Sequence, residues 1–417
     1  MSTRVEQATG QAGNLPWERL PVVQAGGGLK MLNGVKILDL STSVAGPYAT
    51  MLLSDMGAEI IKIERPEGDD ARHWGPPFLE GQALWFTAIN RNKRSVVLDL
   101  GKVDGLSVFQ QLVAGCDVLI TNQPRDVQRK LKVDYESVRA IREDIVFVSI
   151  SGFGLTGERS ELTCYDLIAE GYSGIMDITG TPDSPPQKVG APAADMLAGQ
   201  DAAMAVMAAL FERRGSGRGH LIDVSLVESM TRFLTCRISS YLGSGEVPQR
   251  SGGTDSVIAI YQSFDTADEP LNLGLGSNPI WQRFWTAIGD PGFGARPDFA
   301  TNSHRRVHRK EIVDRIQQLL LLKTRAEWLA LFAASRIPAG PINRVDEVAH
   351  DAALQDRGLF FSLQDGDRTV PQIGLGIQFN SENAVPRSAP PLLGQHTEEV
   401  LQELRGRTAG QGGAASG

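Results

Sequence analysis

Apolar positions along the chain first cluster at VKILDL (35–40), a run whose length and β-branched character predict a buried strand. STSVAGP follows, and then the helix-periodic YATMLLSDMG, which stops at Gly57. EIIKIE (59–64), RSVVLDL (94–100), DVLIT (117–121) and DIVFVSIS (144–151) repeat the strand pattern, with helices predicted over 105–115 and near 134–142. Strands alternating with short helices imply βαβ units and a largely parallel sheet. The first half of the chain therefore reads as an α/β, Rossmann-like domain.

Further on, small residues from about Met196 to Arg213 predict a long helix, which RGSGRG ends before the strand and helix of HLIDVSLVESM. Beyond Val247 the texture changes. PQRSGGTDS reads as a loop, IAIYQSF and LNLGLG as strands, NPIWQRFWTAIG as a helix, and 309–321 and 325–334 as two more. IPAGPIN (337–343) reads as a rigid connector, not a helix. These patterns divide the chain into a flexible lead-in (1–30), a large domain (31–225) and a smaller α+β domain (226–345). A return segment packing on the large domain (346–405) and a disordered Gly/Ala/Ser tail (406–417) complete it. Order is expected to begin at Val35.

Composition narrows the function classes. The 417 residues are 41% hydrophobic and 22% charged, as in ordinary globular proteins. No apolar run in the sequence approaches the roughly 20 residues of a membrane span, so no membrane association is expected. The N-terminus lacks the apolar core of a secretory signal, and three widely spaced cysteines offer neither a disulfide framework nor a metal-binding pair, which points to a cytoplasmic protein. A net charge of −8 argues against general affinity for nucleic acid. Of the six histidines only His304 and His308 share helical spacing, and arginines surround them, so no metal is expected.

Several motifs carry two readings. GFGLTG (152–157) fits the glycine spacing of a dinucleotide fingerprint, but ERSELTCYD behind it supplies no apolar first helical turn, which favours a strand-to-loop turn. GSGRGH (215–220) lacks the Lys-Ser/Thr ending of a phosphate loop and reads as a helix stop. The basic run RNKRS (91–95), near Arg65, reads as a solvated cap or as an anion site at the C-terminal edge of the sheet. Asp195 stands alone among small apolar residues, before Met-Leu-Ala-Gly and a long helix. It reads as the helix N-cap, whose carboxylate accepts the first free N–H groups. The same position suits a nucleophile, because a helix N-terminus offsets the desolvation that would otherwise neutralise it.

Taken together, LNGVKILDLSTSVAGPYATMLLSDMGAEIIKIERPEGDDAR, NRNKRSVVLDL, ISGFGLTG, YDLIAEGYSGIMDITG, APAADMLAG, GRGHLIDVSLVESM, IPAGPIN and PPLLGQHTEEVL resemble the class III CoA-transferases. That family includes formyl-CoA:oxalate and succinyl-CoA:glutarate transferases, and the resemblance leans toward the dicarboxylate members. It implies that Asp195 attacks an acyl-CoA thioester, forming a mixed anhydride and then an aspartyl-CoA thioester. It places CoA contacts on Val44, Ala45, Arg65, Leu98, Asn122, Lys130, Tyr165 and Asp166, and a mobile substrate loop on Gly252 and Gly253. It further implies an interlocked ring-like homodimer, and CoA or acyl-CoA as substrate with no tightly bound cofactor. Where the family reads Asn-aromatic-x-Pro-Gly, this chain has Asn122-Gln123-Pro124-Arg125-Asp126, and Lys130 falls where an Arg is usual.

Two rival readings fit the same residues. An α-methylacyl-CoA racemase would need a histidine at Tyr165, thirty positions before the acid, and tyrosine is a poor base at neutral pH. A non-catalytic CoA-binding or assembly subunit is suggested by the Asn-Gln-Pro-Arg departure and opposed by the intact Asp195. Arg250, beside the glycine pair, reads as a solvated loop residue or as a partner for a distal carboxylate.

Overall fold

The computed structural model describes residues 15–413. The chain forms two compact units. One comprises the segment ending at Ser173, Gly190–Phe233 and the segment from Ala349 onward, and the other comprises Gly174–Val189 with Leu234–Val348. The second unit thus includes 174–189, which the sequence pattern assigned to the large domain, and begins at Leu234 where the pattern placed 226.

The first unit is built on a six-stranded sheet of β1 (Lys36–Asp39), β2 (Glu59–Glu64), β3 (Lys93–Val97), β4 (Val118–Thr121), β5 (Val146–Ser151) and β6 (His220–Ser225). Their order is β3-β2-β1-β4-β5-β6 and every neighbouring pair is parallel. Strands covered on both faces read as continuous apolar runs, and Val118, Leu119, Ile120, Val146, Phe147 and Val148 are all buried. The core around Leu38, Ile61, Phe109, Leu119 and Phe147 is closed by Val400 and Leu404 of the C-terminal helix Thr397–Gly413.

Four helices concern the site: α1 (Ala45–Asp55), α2 (Asp166–Ser173), α3 (Ala193–Ser216) and α4 (Leu226–Phe233). By length and composition alone the 24-residue α3 could cross a bilayer, although polar residues interrupt its apolar runs. In this fold it lies along α1, so closely that a Cβ on Gly199 would come within 2.7 Å of the Ala45 carbonyl oxygen.

Order begins earlier than Val35. Val22–Gln24 pairs in parallel with Phe360–Asp365, itself hydrogen-bonded to Arg368–Ile373. The pairing satisfies the backbone of a stretch whose side chains are mostly exposed, which is why the polar 15–30 segment looks unstructured in sequence. Residues 1–14 of the expected lead-in lie outside the described residues. At the other end, helix Thr397–Gly413 runs past 406, against the disorder expected there, because extending an anchored helix is cheaper than nucleating one. Residues 414–417 lie outside the description.

In the second unit Tyr261–Phe264, Leu271–Gly274 and Ala339–Pro341 form an antiparallel sheet. The expected connector IPAGPIN is thus an edge strand, the position in which a sheet tolerates proline. Trp281, Phe284, Trp285, Phe299, Ile312, Ile316, Trp328 and Phe332 fill this unit's core.

Candidate active site

The C-terminal ends of β1 to β4 open onto a cleft of about 500 Å³. Leu40, Leu98, Leu100, Val127 and Leu131 supply apolar wall, and Ser41, Arg65, Asn122 and Gln123 supply polar groups. Open parallel sheets place ligands at this edge, where the strand order reverses between β1 and β4. Of the residues expected to contact CoA, the structure brings Arg65, Leu98 and Asn122 together here. Asn122 is held on both sides of its amide: Oδ1 accepts from the Thr42 N–H at 3.0 Å, and Nδ2 donates to the Thr42 carbonyl at 2.8 Å. The roughly half-exposed Arg65 pairs with Asp70 across the cleft rim. Lys130 is exposed and does not line the cleft, because its helix Arg125–Leu131 turns Val127 and Leu131 inward instead.

The floor of the cleft, which includes Lys62, Glu64 and Asp69, continues into a network of buried charges that the sequence did not reveal. Lys93 Nζ meets Asp39 Oδ2 at 3.0 Å, the Pro47 carbonyl at 2.8 Å and Asn90 Oδ1 at 2.8 Å. Lys62 Nζ meets Asp69 Oδ2 and the Ser41 carbonyl, both at 2.8 Å. Burial opposes the charge on each group. Asp69, Asp39 and Glu64 nevertheless hold Lys62 above the usual lysine range, and Lys93 and Lys62 hold Asp39 well below the carboxylate range. For Lys93 burial prevails and pushes it down to about 8, so it still carries its charge at neutral pH.

These pairs shape the turn into α1. Asp39 accepts from the Ser41 N–H and hydroxyl and from Thr50 Oγ1, while Asp69 Oδ1 accepts from the N–H groups of Ser43 and Ala71. Ser43 is thereby held at φ +69°, a left-handed conformation that a non-glycine residue adopts only under such constraint. Val44 and Ala45 follow, both buried, with Val44 in one apolar cluster with Tyr48 and Met196. They pack under the site and do not line the cleft.

The RNKRS run is neither a solvated cap nor an anion site. It enters β3 at its N-terminal end, the opposite edge from the cleft, and Arg91, Asn92 and Lys93 are buried. Arg91 grips both carboxylate oxygens of Asp55 at 2.9 and 2.6 Å, Asn92 adds a third bond to Asp55, and Arg94 pairs with Glu59, Glu399 and Glu403.

Met196 leads directly to the lone acid. Asp195 lies in the first turn of α3 but is not its N-cap: that position is Pro192, which caps with no side chain. Asp166, at the start of α2, takes the capping part, its Oδ1 accepting from the N–H groups of Ala194 at 2.8 Å and Asp195 at 3.2 Å. The helix mouth that was expected to keep Asp195 ionised therefore faces the carboxylate of Asp166. Burial, followed by the charge of Asp166, pushes the half-buried Asp195 up to about 7. Cys164 shares this environment, and burial followed by Asp195 pushes its thiol up to about 11. Tyr165, expected to contact CoA, is 68% exposed.

GFGLTG forms the turn behind this group, and no helix opens until Asp166. Gly152 lets Cys164 approach, since a Cβ there would lie 2.1 Å from the Cys164 Cβ. Gly199 has the same function one helical turn beyond Asp195. Gly199→Ala should push α1 from α3, cost about 1–3 kcal/mol of stability and lower turnover by moving Asp195. Thermal unfolding and a transfer assay on the same preparation check both effects.

Gly252 and Gly253 belong to the second unit. Gly252 takes φ +59° and its N–H donates to the Gly180 carbonyl at 2.8 Å. Arg250 is not a solvated loop residue: its Nη1 donates to the Asp177 carbonyl at 2.7 Å and to Asp177 Oδ1 at 3.1 Å.

The fold is thus a parallel α/β sheet with a cleft at its C-terminal edge, and the first turn of α3 carries a carboxyl whose charge is opposed by burial and by Asp166. Residues 32–397 match the model of CoA-transferase family III, and the chain belongs to this family of CoA-transferases. It is 37% identical over 381 residues to a succinate–glutarate CoA-transferase of Agrobacterium fabrum, covering 89% of this chain and 95% of the relative. It is 32% identical to a succinyl-CoA:mesaconate CoA-transferase of Haloarcula hispanica, covering 89% of this chain and 96% of the relative. The solved structure of a CAIB/BAIF family protein from Brucella suis superposes with a TM-score of 0.80 at 36% identity, covering 89% of this chain and 99% of that one.

Proposed function

We propose that this enzyme transfers CoA from succinyl-CoA or a similar acyl-CoA to a dicarboxylic acid such as glutarate, with Asp195 as the nucleophile. The names of its relatives support the substrate class. The observation that carries the chemistry is the half-buried Asp195 carboxyl in the first turn of α3, held near neutrality in its affinity for a proton. A carboxylate with a raised pKa is weakly hydrated and correspondingly nucleophilic.

In this reading an Asp195 oxygen attacks the thioester carbonyl, the C–S bond breaks, and CoA leaves as thiolate from a mixed anhydride. The thiolate then attacks the Asp195 carbonyl carbon, releasing the donor's carboxylate and leaving an aspartyl-CoA thioester. The acceptor carboxylate attacks that thioester, and the returning thiolate takes the acceptor's acyl group and frees Asp195. Each step passes through an oxyanion that backbone N–H donors would stabilise. The cleft at β1 to β4 would hold CoA, with Arg65 turning from Asp70 to phosphate, and Tyr165 and Asp166 bordering the thioester. The mobile-loop role of Gly252 and Gly253 belongs to the same proposal. A Rossmann-like large unit, an interlocked homodimer and a cytoplasmic location belong to the same proposal.

Trapping with succinyl-CoA and hydroxylamine followed by mass spectrometry tests it. A hydroxamate on Asp195 is the expected product, and a modified residue elsewhere with Asp195 intact would refute it. A pH profile offers a second check. Only ionised Asp195 attacks, so kcat/KM should fall about tenfold per pH unit below about 7 and level off above. Asp166→Asn keeps an oxygen to cap α3 but removes the charge, so the acid limb should move to lower pH. An unmoved limb would show that Asp166 does not set it.

A further inference from the structure

Gln123 lines the cleft two residues after the end of β4. Its backbone is tied down on both sides, since its N–H donates to Thr121 Oγ1 at 3.2 Å and its carbonyl accepts from Gln128 Nε2 at 2.7 Å. Its side-chain amide is held far less. Nε2 reaches only the Leu40 carbonyl, at 3.5 Å, and Oε1 is buried with no donor among the described residues. A buried acceptor without a donor is costly, so the amide gains free energy by turning into the cleft whenever a ligand offers an N–H.

We infer that Gln123 Oε1 accepts a hydrogen bond from the adenine 6-amino group of CoA, so that this enzyme reads the base by hydrogen bonding. The inference rests on the cleft being the CoA site, as proposed above. Two observations favour the base over the N–H groups of the pantetheine arm. Leu98, Leu100, Val127 and Leu131 offer the cleft an apolar surface suited to a purine. The Ser41–Val44 turn, whose Thr42 is bonded to Asn122, leads away from Gln123 toward Met196 and Asp195, where the thioester must lie.

Calorimetric binding to wild type and Gln123→Leu tests it with CoA, its 6-deamino purine analogue, in which hydrogen replaces the 6-amino group, and pantetheine. Wild type should bind the analogue about 5- to 20-fold more weakly than CoA, because a site built to pair an N–H rejects a ligand lacking it. Gln123→Leu should lose a similar factor for CoA, treat both bases alike and leave pantetheine binding unchanged. The comparison of ligands on wild type needs no variant to fold. Equal binding of CoA and analogue by wild type overturns the inference while leaving the cleft as the CoA site. Weaker pantetheine binding by the variant overturns it in favour of the pantetheine arm. Failure of CoA itself to bind overturns both this inference and the reading of the cleft.

Discussion

Asp195→Ala should abolish CoA transfer, lowering kcat by about four orders of magnitude or more, since removing a covalent nucleophile leaves only binding and oxyanion stabilisation. Exchange of label between succinyl-CoA and succinate, measured on wild type and variant, checks this. Survival of more than a few per cent of the rate would remove Asp195 from the mechanism. Asp195→Asn should be just as inactive yet more stable than wild type. The folded-state carboxyl takes its proton at about 7, above the 3.8 of the free side chain, so its ionisation opposes folding. Wild type therefore loses stability as pH rises from about 4 to 7, while the asparagine variant does not. After allowance for solvent screening the gap at pH 8 should be about 1–3 kcal/mol and should narrow toward pH 4. Denaturant unfolding at pH 5 and pH 8 reads both numbers. An asparagine variant less stable than wild type at pH 8 would show that the carboxylate is not strained there.

Lys93→Met should produce the largest loss of stability. It leaves Asp39 buried without the ammonium 3.0 Å away, and removing one partner of a buried pair costs about 3–5 kcal/mol. Adding Asp39→Asn should restore much of the loss, because the remaining group is then neutral and can still bond Ser41 and Thr50. The single variant should also lose activity beyond what its stability accounts for, since the turn through Ser43 into α1 rests on the same network. Unfolding of the two variants, with KM for the acyl-CoA measured well below the melting range, checks this. A Lys93→Met enzyme of wild-type stability would show that Asp39 takes up a proton instead.

The strands of the large unit were legible because parallel strands buried on both faces leave unbroken apolar runs. Arg65, Leu98 and Asn122 were named by resemblance, and they share one cleft because each stands at or just after the end of such a run and parallel strands bring their C-terminal ends to one edge. Lys130 was misplaced because it lies on a short helix whose phase a motif offset does not convey. Val22–Gln24 was missed because its order comes from hydrogen bonds to a strand more than 300 residues away. The charged run at 91–94 looks like surface in one dimension, and nothing local distinguishes it from one, since its partners Asp39, Asp55 and Glu403 lie far off in the chain.

The order of apolar runs and the isolation of Asp195 among small residues were therefore decided locally, by periodicity and residue size, and with them the sheet, the long helix and the acid on it. The state of that acid was decided by the tertiary structure. Asp166, 29 residues upstream, occupies the helix mouth that the sequence seemed to reserve for Asp195. Desolvation and repulsion act through space, so a carboxylate that looks capped and ionised along the chain is, once folded, one that holds its proton to about pH 7.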